Sequence, residues 1–119
     1  MRRLFSVLVI AMAFSTTATA LEIAICTTAN WWSQAAADRE MQEIADNVTA
    51  VPVLQFAAGQ YGALADWVAA HTGDGVSDLL ILCGQCPDAI YPAVNAQPDG
   101  SLLELFLDDG NCVINTGDW

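Results

Sequence analysis

The chain has 119 residues, 14 of them Asp or Glu against three Lys or Arg, for a formal net charge of −11. That balance excludes nucleic acid and anionic membrane surfaces as partners, because the bases that would neutralise phosphates are missing. A chain of this size makes one small domain with a modest core and little stability to spare.

The amino terminus reads as a secretory signal. Met1-Arg2-Arg3 is a basic start, residues 4–14 are an apolar run, and residues 15–20 turn small and polar and end in Ala18-Thr19-Ala20. The apolar run is too short to span a bilayer, and Ala-x-Ala marks cleavage after Ala20. Residues 1–20 are therefore expected to be a signal peptide, leaving a secreted or periplasmic protein without a stable membrane anchor. Cleavage removes Arg2 and Arg3, so Arg39 alone stands against 14 acidic residues, a net charge of −13. Export also permits disulfides, and Cys26, Cys83, Cys86 and Cys112 could form two in any of three connectivities.

Residues 22–27 are rich in β-branched side chains and predict a first strand. Thr28-Ala29-Asn30 is a polar turn able to cap a helix, and from Trp32 onward Ala37, Met41, Ile44, Ala45 and Val48 mark one helical face. Residues 51–56 predict a second strand, with Pro52 near its start placing it at a sheet edge. After Gly59, the residues Tyr61, Leu64, Ala65 and Val68 recur at helical spacing up to His71, and Thr72-Gly73-Asp74-Gly75 ends that helix.

Asp78-Leu79-Leu80-Ile81-Leu82 is too short for a self-burying helix and too uniformly apolar for a strand with one wet face, so it predicts a central strand covered on both sides. Residues 87–100, with Pro87, Pro92 and Pro98, predict a long surface loop with one turn near Asp88. Ser101 and Glu104 form a capping box that opens a short helix, and residues 112–116 predict a fourth strand.

Strands alternating with helices predict an α/β fold of three layers, flavodoxin-like, with a parallel sheet in the order 2-1-3-4. On that frame Cys26 and Cys83 come close at the carboxyl ends of their strands. Cys112 begins the fourth strand and is expected to be a buried, unpaired thiol. A chain stopping just after its fourth strand is expected to be a fragment, with the remainder of its parent chain as a partner.

The strand at residues 78–82, the turn Cys83-Gly84-Gln85, the Pro-rich loop, the capped helix and the strand at residues 112–116 together resemble the amino-terminal half of the class I glutamine amidotransferase-like superfamily, nearest its trehalose-utilisation-like branch. Residues 21–119 are expected to be that partial domain. Active members carry a nucleophilic Cys in a Gly-x-Cys-x-Gly elbow after the fourth strand and a His-x-Glu pair in the carboxyl half. Here Thr116-Gly117-Asp118 stands at the elbow. The resemblance thus implies a non-catalytic binding or scaffolding domain, with no catalytic residue carried over.

Ligands of such sheets bind beyond the carboxyl ends of the strands. Trp31, Trp32, Cys83, Gly84, Gln85, Cys86, Thr116 and Asp118 fall there and are the candidate ligand-face residues, for a small molecule or a carbohydrate. The alternative is a thiol-disulfide oxidoreductase using the C-x-x-C pair Cys83 and Cys86, although Pro87 and Pro92 leave little helix to stabilise a thiolate. No cofactor or metal is expected. A site from Cys26, Cys83 and Cys86 lacks a second ligand pair, and His71 is read as a cation at an exposed helix end.

Overall fold

A computed structural model describes residues 20–28, 33–93 and 100–117. Residues 1–19 of the expected signal peptide, and the candidate residues Trp31, Trp32 and Asp118, lie outside the described residues. The centre of the molecule is β1 (Ile23–Thr27), every residue of which is buried. It pairs in parallel with β2 (Val53–Phe56) on one side and β3 (Leu79–Cys83) on the other, aligning Ile23 with both Val53 and Leu79. Beyond β3 lies β4 (Cys112–Asn115), with Leu79 aligned to Cys112. The sheet is parallel in the order β2-β1-β3-β4, the order the sequence predicts.

Helices α1 (Gln34–Asn47), α2 (Tyr61–Ala70) and α3 (Leu102–Asp108) form the outer layers. Alternate side chains of each strand go to opposite faces, which divides the core in two. Ile23, Ile25, Ile81 and Cys83 meet Ala37 and Met41 of α1. Ala24, Cys26, Leu80 and Leu82 meet Leu64, Trp67, Val68 and Phe106 of α2 and α3. Trp67, absent from the predicted helical stripe, is 6 % exposed and donates its indole N–H to Glu22 Oε2 at 3.3 Å.

Cap chemistry sets where helices start. Ser33 caps α1, its Oγ accepting from the Ala36 amide at 3.3 Å, so the helix opens later than the polar turn at residues 28–30 implied. At α3 the capping box is complete: Ser101 Oγ accepts from the Glu104 amide, and Glu104 Oε2 accepts from the Ser101 amide at 2.9 Å.

Two expectations need correction. The loop after β3 is not wholly a surface excursion, because Ile90 is 1 % exposed and its carbonyl accepts from the Leu103 amide at 3.1 Å. Its one turn forms as expected, with the Ile90 and Tyr91 amides both on the Pro87 carbonyl. Cys112 is exposed, not buried. It begins an edge strand whose α1-side face has no helix above it among the described residues, and Ile114 on the same face is 49 % exposed.

At the amino-terminal end of the sheet, the buried Asn111 ties three segments together. Its Oδ1 accepts from the Asp78 amide at 2.7 Å and its Nδ2 donates to the His71 carbonyl at 3.0 Å. Ser77 Oγ donates to the Gly110 carbonyl, and Asp109 accepts from the Gly73 amide. Among the described residues no helix is long and apolar enough to cross a membrane.

Candidate functional site at the carboxyl ends of the strands

β1 leads to α1 on one face of the sheet, whereas β3 leads through its loop to α3 on the other. The strand order therefore reverses between β1 and β3, and a crevice opens at that point in sheets of this kind. Its floor is made by three chain segments packed backbone to backbone. Thr28 donates its amide to the Cys83 carbonyl at 3.2 Å and its hydroxyl to the Gln85 carbonyl. Gly84, with φ +125, leaves no room for a Cβ, which would overlap the Thr28 carbonyl. A Cβ on Gly117 would overlap the Gly84 backbone in turn. Only glycine permits this approach at both positions.

Above the floor lie two adjoining clefts, of about 260 and 400 Å³, which share Gln85, Cys86 and Asp88. Thr28, Tyr61, Pro87 and Ala89 complete the first, and Tyr91, Ala93, Leu103 and Asn115 the second. Aromatic rings, amides, a hydroxyl and one carboxylate thus line a common space, and among the described residues no Lys or Arg lines it. Cavities that take small ligands have this size, with an apolar lining and a few convergent polar groups.

The candidate residues of the C-x-x-C turn are divided between the two layers of the core. Cys83 points into the core beneath α1, while Cys86 packs with Cys26 on the α2 and α3 side. The two belong to different layers, and all four cysteines are free. Cys26 and Cys83 are neighbours across β1 and β3, since Thr27 aligns with Cys83, yet they too point to opposite faces. Gln85 and Cys86 line the crevice. Cys83, Gly84 and Thr116 stand behind it, with Thr116 Oγ1 donating to Glu40 Oε2 at 3.2 Å on the α1 side.

Burial favours the neutral form of Cys26, Cys83 and Cys86. Burial pushes Cys26 up to about 12, with the neighbouring Cys83 and Cys86 adding to it. Burial first, then the Glu40 carboxylate, pushes Cys83 up to about 11, against a lowering hydrogen bond with Thr116. Burial and then Asp88 push Cys86 up to about 11. A redox or nucleophilic cysteine needs the opposite, a thiol value lowered by positive charge or a helix amino terminus.

Tyr61, Asp88 and Asn115 were not among the candidates that the sequence offered. A signal existed for Asp88, which sits in the Pro-rich loop after the central strand. Tyr61 lay hidden in a helical stripe and Asn115 at the end of an edge strand.

Fold and site together define a doubly wound α/β domain with a neutral-to-acidic crevice at its topological switch point. No family model, no curated protein and no solved structure matches the chain.

Proposed function

We propose that this chain is an exported, non-catalytic, amidotransferase-like domain that binds a small polar ligand, of the neutral carbohydrate class, in the crevice around Gln85, Cys86 and Asp88. The observation that carries this reading is the composition of the two clefts. Tyr61 and Tyr91 line the clefts with aromatic rings, while Gln85, Asn115 and Asp88 supply amides and a carboxylate, and the Thr28 hydroxyl, which donates to the Gln85 carbonyl, can still accept from a sugar hydroxyl.

The absence of Lys and Arg from the lining among the described residues, and the overall charge of −11, work against an anionic ligand. The raised thiol values and the separation of Cys83 from Cys86 favour binding over thiol-disulfide exchange. The resemblance to the amidotransferase-like fold agrees with this reading, since Thr116-Gly117-Asp118 occupies the place of that family's nucleophile.

Calorimetric titration of the protein with a panel of neutral mono- and disaccharides tests the proposal. One or more sugars should bind with one-to-one stoichiometry, and Gln85→Ala and Asp88→Ala should each weaken that binding about tenfold or more, the loss of one hydrogen bond to a ligand. Binding unchanged in both variants, or no binding across the panel, contradicts it.

A further inference from the structure

The segment between α2 and β3 gathers donors that the carboxyl-end crevice does not use. One ligand atom from each of His71, Asp74 and Asp78 lies within 4.8 Å of the others. Asp78 is 1 % exposed. Its Oδ1 accepts from the Glu22 amide at 2.7 Å, but its Oδ2 is buried with no hydrogen-bond donor. A carboxylate oxygen left dry and unpaired is costly, and native proteins satisfy such atoms with a donor, a water or an ion.

The His71 ring indicates which. Nδ1 lies 2.8 Å from the Trp67 carbonyl, an acceptor only, so Nδ1 carries the proton. The ring is held by stacking on Trp67, with centroids 4.3 Å apart and planes at 24°. Nε2 faces the Glu22 carboxylate, with Oε2 at 3.2 Å, a contact between two acceptors that needs a proton or a cation between them. Metal-bound histidines are oriented in this way, one ring N–H fixed on a backbone carbonyl and the other nitrogen directed at the ion. The carboxyl end of α2 adds its own negative potential. Arg39, the one Lys or Arg among the described residues, is in α1 on the opposite face.

We propose that His71, Asp74 and Asp78 bind a divalent transition-metal ion of the zinc type, which closes the amino-terminal end of the sheet by joining α2 to β3. An imidazole nitrogen with two carboxylates suits zinc or manganese, whereas calcium and magnesium take all-oxygen sets. Zinc bonds of about 2.0–2.2 Å place tetrahedral ligand atoms roughly 3.3 Å apart, so the donors must close inward from their present spacing. Asp74, in the turn between Gly73 and Gly75, is the donor that has to move, with its Oδ1 now accepting from the Val76 amide at 2.8 Å.

The experiment is titration of the full chain, stripped with a chelator, with zinc, manganese, calcium and magnesium chlorides, read by calorimetry and by thermal melting. Zinc should bind one-to-one and raise the melting temperature, with calcium and magnesium doing neither. Asp78→Asn keeps the acceptor for the Glu22 amide and should lower zinc affinity at least tenfold. Asp74→Asn, in the half-buried loop, should do the same without disturbing the buried position, which separates loss of binding from loss of folding. A double Cys86→Ser/Cys112→Ser variant should still bind zinc. Zinc binding that survives Asp74→Asn and disappears in the cysteine variant overturns the assignment. So does a wild-type chain that ignores zinc or responds to calcium instead.

Discussion

At the carboxyl ends of the strands backbones touch: Gly84 lies between Thr28 and Gly117, the side chains there are small, and the space above stays open as a crevice. At the amino ends side chains do the joining, with Asn111 bonded to both Asp78 and His71, Ser77 bonded to Gly110, and Asp109 bonded to Gly73. The difference is one of tolerance. A floor of touching backbones accepts no added atom, whereas a net of separate hydrogen bonds loses one link at a time. It also separates the two ends, since the close-packed end leaves polar groups facing an open crevice and the bonded end pairs its polar groups with one another.

The sharpest way to break this contrast is a pair of glycine substitutions. Gly84→Ala combines a φ of +125 with direct overlap on Thr28, and should cost about 3 kcal/mol or more, enough to unfold much of a marginally stable population. Gly110→Ala, at the amino end, has φ +95 but nothing within 4 Å of the new Cβ, and should cost only about 1 kcal/mol. Urea midpoints of the two variants measure the difference. Equal losses would mean that close approach at Gly84 contributes nothing.

Asn111→Ala probes the bonded end. It strands the Asp78 amide and the His71 carbonyl, both now satisfied by one side chain, and should cost about 1–3 kcal/mol in the same assay. Ser101→Ala removes the cap of α3 and should cost about 1 kcal/mol.

A further effect is a dependence on alkaline pH. Cys26, Cys83 and Cys86 have folded values above the ordinary 9.0, so above pH 9 the unfolded chain releases thiol protons that the folded chain keeps. Stability is full below pH 9 and falls as pH rises toward about 11 to 12. Urea midpoints taken from pH 8 upward should decline, and blunting of that decline in Cys83→Ser would assign part of it to the thiol beneath α1.

Much of the fold could be read from local chemistry. The apolar run before Cys83 announced a strand buried on both faces, Pro52 marked an edge, and Ser101 with Glu104 fixed the start of α3. What could not be read depends on contacts distant in sequence. Ile90 is an isolated apolar residue in a Pro-rich loop, and only α3 makes it core. Asn111 gave no sign that it would bridge segments 33 and 40 residues away. The C-x-x-C spacing implied proximity, but Cys83 is still in strand geometry and Cys86 lies beyond a positive-φ glycine, so the two face different layers. Cys112 looked buried because it opens an apolar strand, and it is exposed because that strand is an edge with one face uncovered.

The crevice as the binding surface is tested most directly by mapping amide chemical shifts of the isotope-labelled protein during titration with the sugar that calorimetry selects. Shifts should move at Gln85, Cys86, Asp88, Ala89 and Asn115, with the amides of Asp74 and Asn111 at the other end of the sheet unchanged. Shifts confined to the β4 edge or to the amino-terminal end, with none from Gln85 to Ala89, would contradict it.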